Sequence, residues 1–75
     1  NKGIATEALK EIIRFLFEEV GLNRIEAYHD VRNLASGRVM QKCGMKCEGI
    51  LRQFYPFNGG VSDVYIYSIL KDDIM

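Results

Sequence analysis

The sequence predicts an α/β fold with a mixed sheet, in which the elements follow the order helix, strand, helix, strand, strand. An early segment repeats apolar residues at the three- and four-residue spacing of a helix with one buried face. Later segments are rich in β-branched and aromatic residues and are separated by glycine-containing turns. The chain has 75 residues, which is one small domain or part of one.

The first helix is expected over residues 5–20, with Gly21 as its stop. Its apolar positions, which would form the buried face, are Ala5, Ala8, Leu9, Ile12, Ile13, Leu16, Phe17 and Val20. Residues 24–29 form the first predicted strand. A second helix follows from residue 33 or 34 to residue 43, with Asn33 as its N-cap and Gly44 as its stop.

Two strands and a turn complete the chain. Residues 45–54 are expected as a strand with a bulge at Gly49. Residues 55–60 are expected as a turn, in which Asn58-Gly59 is a strong hairpin signal. Residues 61–70 form the last predicted strand, which is apolar on both faces and is therefore expected to be covered on both sides. The final residues, 71–75, are expected as a short solvated end.

Composition and charge exclude several classes of function. The chain is 48% hydrophobic and 27% charged, which is typical of a globular protein, and its 10 basic side chains balance its 10 acidic ones. It carries no basic tract of the kind that binds nucleic acid and no apolar run of membrane-spanning length. Cys43, Cys47 and the one histidine, His29, are too few ligands for a metal site. We therefore expect no nucleic-acid, membrane or metal partner, and a cytoplasmic protein with reduced thiols.

The segment from Lys2 to Thr6 joins a small-residue turn to the first predicted helix. Gly3 permits backbone angles that a Cβ forbids, and Ala5 leaves room beside the backbone. N–H groups at a helix start, with a lysine nearby, are suited to binding phosphate. A plain helix start is the alternative, because a short glycine-containing helix entry is weak evidence of a site.

Asn33 and Ser36 lie three residues apart and face the same way at the start of the second predicted helix. The residues alone favour a capping arrangement, in which Asn33 caps the helix and Ser36 lies at the surface. The alternative is an amide and a hydroxyl that are both directed at one ligand.

A series of short motifs extends over essentially the whole chain. In order they are Gly3-Ile4-Ala5-Thr6-Glu7-Ala8, Leu22-Asn23-Arg24-Ile25-Glu26-Ala27, Asn33 with Ala35-Ser36 and Arg38-Val39, Lys42-Cys43-Gly44-Met45, Glu48-Gly49-Ile50-Leu51-Arg52, Asn58-Gly59, and Asp63 through Tyr67. With these motifs the chain resembles the C-terminal half of a GNAT-superfamily N-acetyltransferase, and most of all the ribosomal-protein-alanine acetyltransferase subgroup. The resemblance implies the C-terminal half of an acyl-CoA N-acyltransferase fold, a partial domain over residues 1–75 whose N-terminal strands and helices are absent.

The resemblance implies a site for acetyl-CoA as co-substrate. The family signature is Gln or Arg, two residues, Gly, one residue, then Gly or Ala, and its second half matches Gly3 and Ala5. The implied cofactor-binding residues are Asn1, Lys2, Gly3, Ile4, Ala5 and Thr6 at the pyrophosphate, Asn33 at the pantetheine arm, Ser36 at the thiol, and Arg38 and Lys42 near the CoA phosphates.

The resemblance also implies direct transfer of acetyl to a primary amine, either a protein N-terminus or a small amine, in a ternary complex. Ser36 is the implied catalytic residue, which donates a proton or a hydrogen bond to the leaving CoA thiolate. Many relatives use a tyrosine one turn further on, but that position is Met40 here, which cannot donate. The general base stays open: the candidates are Glu26, Tyr28, His29, Asp30 and ordered water.

The isolated chain is expected to have little or no turnover, because the resemblance puts the oxyanion-stabilising strand before Asn1. One alternative is a structural fragment that forms a homodimer through exposed sheet edges, with residues 61–70 as the pairing strand. Another is a binding module for a different phosphate ligand, which would leave Asn33, Ser36 and the motif at residues 48–52 unexplained.

Overall fold

The computed structural model describes residues 2–74. Helix α1 extends over Lys2–Phe15 and continues as a π-helical turn, Leu16–Val20, which ends at Gly21. The other elements are β1 (Arg24–Asp30), α2 (Leu34–Lys42), β2 (Lys46–Phe57), β3 (Gly60–Leu70) and α3 (Lys71–Ile74). The predicted α/β class and the order helix, strand, helix, strand, strand are confirmed.

The three strands form an antiparallel sheet in the order β1-β3-β2. All strand pairing among residues 2–74 is antiparallel. One expectation is corrected by this order: residues 61–70 are not an edge at which a second copy can pair, because β3 pairs with β1 on one side and with β2 on the other. Within the described residues, the edges of the sheet are β1 and β2.

Both helices pack on one face of the sheet. The core residues are Ile13, Phe17, Met40, Met45, Tyr67 and Ile69. Phe17 and Ile69 are the most deeply buried, with 1% of each exposed. Long side chains of β1 and β2 cover the other face, where Tyr28 stacks on Phe54 with ring centroids 5.2 Å apart. β3 is therefore covered on both sides, as its apolar sequence predicts.

Helix α1 begins at Lys2 rather than at residue 5, so Gly3 and Ile4 lie in its first turn instead of in a turn before it. A glycine in a helix costs only about 1 kcal/mol relative to alanine, which a long helix tolerates. The buried stripe is also narrower than the sequence predicts. Leu9, Ile13, Leu16 and Phe17 are buried or half-buried, whereas Ala5, Ala8, Ile12 and Val20 are exposed.

Asn58 and Gly59 form the two-residue turn between β2 and β3, which confirms the predicted hairpin. Their φ angles are 49° and 77°, as a type I′ turn requires. The turn is shorter than expected, because residues 55–57 continue strand β2. Pro56 has no N–H to donate. It is tolerated in β2 because an edge strand has no neighbouring strand on its outer side that would need this donor.

Strand β2 is interrupted twice. A shift of register against β3 between Cys47 and Gly49 confirms the predicted bulge. A second shift, before Tyr55, was not predicted; Gln53 has a φ of 52° there, and its N–H donates to Asp63 Oδ1 at 2.7 Å. Bulges of this kind hinder the pairing of an edge strand with another chain.

The end of the chain is more ordered than a solvated tail. Lys71–Ile74 forms α3, and Asp73 Oδ2 accepts the N–H of Leu70 at 2.8 Å. The N–H of Lys71 donates to Asn23 O at 2.9 Å, which ties this end to the start of β1. Residues 72–74 are exposed, as expected for a solvated end, but these bonds hold the segment against β1 and β3 as a helical turn that the sequence analysis did not predict.

Candidate functional site

The first turn of α1 presents part of the predicted pyrophosphate site to solvent. Gly3, Ile4 and Ala5 are exposed, and Asn1 lies outside the described residues. Thr6 differs from its neighbours, because only 7% of it is exposed and its hydroxyl has no hydrogen-bond partner among the described residues. Its carbonyl accepts the Cys43 thiol at 3.5 Å. The backbone of Thr6 therefore lies against the end of α2, and the contact of Thr6 with phosphate stays a prediction.

Asn33 and Ser36 form the cap that the sequence predicts for α2. Asn33 Oδ1 accepts the Ser36 N–H at 3.2 Å, and the Asn33 N–H donates to Asp30 O at 2.8 Å. The cap uses the carboxamide oxygen of Asn33, so its NH₂ group stays a possible donor to a ligand. Ser36 is half-buried, and its hydroxyl makes no hydrogen bond within residues 2–74. Capping and ligand binding are thus compatible at these two residues.

The two parts of the predicted site, one for the pyrophosphate and one for the pantetheine arm, lie at opposite ends of α2. Thr6 contacts Cys43 at the end of α2, whereas Asn33 and Ser36 lie at its start. Seven residues of helix separate Ser36 from Cys43, which is about 10 Å at 1.5 Å per residue. Lys42 is exposed next to Cys43 and so lies at the α1 end of this path. The predicted pyrophosphate and pantetheine contacts are therefore spread along α2 and not gathered at one point.

Arg38 is not brought together with Ser36. The two residues are about 160° apart around α2, given 3.6 residues per turn. Arg38 instead lines a cleft of about 400 Å³ between α2 and the sheet, together with His29 and Tyr67. Its contact with the CoA phosphates stays a prediction.

Hydrogen-bond partners make three of the four side chains considered as general bases poorly suited to that role. Arg32 holds the pKa of the Asp30 carboxyl far below its usual range, with help from Ser62 and Tyr55. Arg24 lowers the pKa of Glu26, and Glu26 in turn raises the pKa of Tyr28. His29 is 7% exposed, and its Nδ1 lies 2.8 Å from Asp30 O, an acceptor that requires the proton on Nδ1 and leaves Nε2 as the basic nitrogen. His29 and ordered water both stay candidates for the general base.

Asp30 is the centre of a polar network that the sequence does not reveal. Its carboxylate accepts hydrogen bonds from Arg32, from Tyr55 Oη at 2.7 Å and from Ser62 Oγ. The guanidinium of Arg32 lies 4.1 Å from the centre of the Phe57 ring. Asp30, Arg32, Asn33, Tyr55 and Phe57 line an open cleft of about 410 Å³ beside the start of α2. No local motif predicts this cluster, because its members come from three strands and a loop.

A second network lies at the opposite end of the same sheet face. Arg24 of β1 donates two hydrogen bonds to the Glu48 carboxylate, and Ser68 Oγ adds a third. These bonds, that from Arg24 first, lower the pKa of Glu48 to about 2. A carboxyl whose folded pKa lies below its unfolded value, about 4.3, stabilises the fold above that pH. The contribution is lost as the pH falls from there toward the folded pKa.

Replacing Glu48→Gln is therefore expected to destabilise the protein at neutral pH, with a difference from wild type that disappears near pH 2. Urea unfolding at several pH values between about 7 and 2 measures this difference. Glu19→Gln, at an exposed position in the π-helical turn, is the control and should change stability little at any pH. A Glu48→Gln deficit that is the same at all these pH values would contradict the assignment.

The described part of the chain contains no helix that is long and apolar enough to cross a membrane. Residues 2–74 also bring together no group of three or more His, Cys, Asp or Glu side chains with the geometry of a metal site.

Comparison with known proteins identifies the family. The model of the family described as "Acetyltransferase (GNAT) domain" matches residues 1–46. The Bacillus subtilis protein named "Probable N-acetyltransferase YjcK" is 43% identical over 72 residues, which cover 96% of this chain and 40% of that protein. The chain therefore belongs to the GNAT acetyltransferase family.

Solved structures agree with this assignment. The ribosomal-protein-S5-alanine acetyltransferase of Vibrio fischeri superposes with a TM-score of 0.91 and 31% identity, over 100% of this chain and 41% of that one. The microcin C7 self-immunity acetyltransferase MccE, solved in complex with acetyl-CoA and AMP, gives a TM-score of 0.84 and 30% identity, over 93% of this chain and 39% of that one. The chain thus spans about 40% of the length of these relatives.

Proposed function

We propose that this chain is the CoA-binding, C-terminal half of an N-acetyltransferase that transfers acetyl from acetyl-CoA to a primary amine. The proposal rests on the GNAT family match together with the hydroxyl of Ser36. This hydroxyl lies at the start of α2 beside the capping Asn33 and makes no hydrogen bond within residues 2–74. The complex of MccE with acetyl-CoA supports the co-substrate. The acceptor is a protein N-terminus or a small amine, and the likeness to a ribosomal-protein acetyltransferase favours the first.

The cofactor would lie along α2. Its pyrophosphate meets the N-terminus of α1, where Gly3 and Ala5 are exposed and the helix dipole favours an anion. The pantetheine arm then follows α2 toward Asn33, whose NH₂ group donates to one of its carbonyls. The path of about 10 Å between the two ends of α2 suits an extended ligand. Lys42 adds a positive charge at the phosphate end.

In the transfer step, the amine nitrogen attacks the thioester carbonyl, a C–N bond forms and the C–S bond breaks. Ser36 Oγ–H donates a hydrogen bond and its proton to the departing thiolate and takes a proton back from solvent water, which also accepts the proton that the amine loses. Met40, one turn further on, is buried in the core and carries no donor. Ser36 carries the one hydroxyl within α2 itself (Leu34–Lys42), and it is the proposed catalytic residue.

The acceptor amine would approach from the cleft lined by Asp30, Arg32, Asn33, Tyr55 and Phe57, which adjoins the start of α2. We also propose a cytoplasmic location. A homodimer would pair through β1, because two bulges and Pro56 interrupt the other edge strand, β2.

Release of free CoA thiol, in the presence of acetyl-CoA and a panel of amines and N-terminal peptides, tests this function. The protein that contains this chain together with the N-terminal half of the domain is expected to turn over repeatedly. The 75-residue chain alone is expected to show little or no turnover, because it spans only about 40% of its relatives. An inactive complete protein would contradict the proposed reaction, and repeated turnover by the chain alone would contradict the assignment of essential groups to the other half.

A further inference from the structure

We propose that Asp30 is a positioning residue, which ties the β2–β3 hairpin to the start of α2 and thereby fixes Asn33 and Ser36. The inference rests on the proposed function for its effect on acetyl-CoA, but the tie itself is a feature of the fold. It couples the strands that line the acceptor cleft to the residues that would hold the cofactor.

The carboxylate of Asp30 is the first half of this tie. Its side chain is 14% exposed and accepts hydrogen bonds from both strands of the hairpin, through Tyr55 of β2 and Ser62 of β3. Tyr55 and Ser62 are direct partners in the register of the two strands. One carboxylate therefore joins the end of β1 to a matched pair of residues on the other two strands.

The connection between β1 and α2 is the second half. Each of its three residues donates its backbone N–H to an aspartate: Val31 to Asp63 O at 3.2 Å, Arg32 to Asp30 Oδ1 at 2.8 Å and Asn33 to Asp30 O at 2.8 Å. Asn33 then caps Ser36. A shift of Asp30 would therefore move the cap and the Ser36 hydroxyl with it.

Arg32 closes the network from the solvent side. Its guanidinium makes two hydrogen bonds to the Asp30 carboxylate, at 2.7 and 2.6 Å, and a third to Ser62 Oγ at 2.8 Å. The same group lies over the Phe57 ring at 4.1 Å. Planar pairing and stacking of this kind hold a guanidinium in one geometry, so the connection is fixed from both faces.

Tyr55→Phe tests the tie, because it removes one hydroxyl that donates to Asp30 and keeps the ring. Tyr28→Phe is the matched control: its hydroxyl lies on the same sheet face but donates to Glu26, at 3.0 Å. The readouts are the amide NMR shifts of Asn33 and Ser36, the KM for acetyl-CoA and the unfolding midpoint, all in the complete protein. Asp30→Asn is the second variant, since it keeps the shape and removes the charge.

We expect Tyr55→Phe to move the Asn33 and Ser36 amide signals and to raise the KM for acetyl-CoA about three- to tenfold with a smaller change in kcat, because one hydrogen bond to a charged group is lost. Tyr28→Phe should leave these signals and the KM unchanged. If Tyr55→Phe and Tyr28→Phe lower the unfolding midpoint by similar amounts, a higher KM in Tyr55→Phe alone reports a change in the position of Asn33 and Ser36 and not a loss of folded protein.

Unchanged Asn33 and Ser36 signals in both Tyr55→Phe and Asp30→Asn would overturn the tie, even in an enzyme that binds acetyl-CoA normally. Shifted signals in a protein that binds no acetyl-CoA would instead support the tie and contradict the proposed function. A protein in which Tyr28→Phe perturbs Asn33 as strongly as Tyr55→Phe would also overturn the tie, because the effect would then be general to the sheet face.

Discussion

Ser36→Ala is expected to slow acetyl transfer by about ten- to a thousandfold, while the affinity for acetyl-CoA stays nearly unchanged. The thiolate would then leave without a proton donor, since the neighbouring candidate position is Met40. The Ser36 N–H, which donates to the capping Asn33 Oδ1, is a backbone group and survives the substitution. The fold at the start of α2 should therefore be preserved.

Single-turnover rates and acetyl-CoA affinity in the complete protein separate the two effects of this substitution. Ser36→Thr is the control: it keeps a hydroxyl and should retain more of the rate than Ser36→Ala does. A loss of affinity with an unchanged rate of chemistry would contradict the role of Ser36 as a proton donor and make it a ligand contact.

Gly37→Ala is expected to destabilise the protein by about 1–3 kcal/mol, although alanine favours a helix over glycine by about 1 kcal/mol. A Cβ at Gly37 would lie 2.8 Å from Nε2 of His29 and 3.3 Å from Oη of Tyr67. His29 is 7% and Tyr67 4% exposed, and the His29 ring is held through Nδ1 by Asp30 O, so neither ring can move aside freely. The clash should outweigh the gain in helix propensity.

Urea unfolding measures the effect at Gly37, with Gly60→Ala as the control. A Cβ at Gly60 would meet only Phe57 O, at an ordinary 3.8 Å, so that variant should stay close to wild type. In the Gly37→Ala background, His29→Ala should cost less than it does alone, because the clash is relieved. A Gly37→Ala protein as stable as wild type would show that α2 does not approach the sheet this closely.

Features that depend on neighbours in sequence could be predicted. Gly21 ends α1, Asn58-Gly59 forms the hairpin turn, and Asn33 caps α2, since each is fixed by backbone angles or by a side chain within a few residues. The order β1-β3-β2 could not be predicted from the strands alone. An apolar central strand and an apolar edge strand covered by other parts of a protein have the same sequence pattern.

In the candidate site, too, local features could be predicted from the sequence and long-range contacts could not. The capping pair of Asn33 and Ser36 is local, and its spacing predicts it. The Asp30 network is not local. Tyr55 and Ser62 lie 25 and 32 positions after Asp30 in the sequence, and no motif connects them to it. The sequence pattern of α1 does not predict the burial of Thr6, whose carbonyl accepts the thiol of Cys43, 37 positions further on, at the end of α2.

Calorimetric titration of the complete protein with acetyl-CoA tests the central claim most directly, with dephospho-CoA and pyrophosphate as comparison ligands. We expect saturable binding that Gly3→Val weakens by about tenfold or more, ~1.4 kcal/mol, because a branched Cβ intrudes where the backbone meets phosphate. Ala8→Val, at an exposed position one turn further along α1, should leave the affinity unchanged. No binding of acetyl-CoA, or equal affinities for the two variants, would contradict the assignment of the cofactor site to the start of α1.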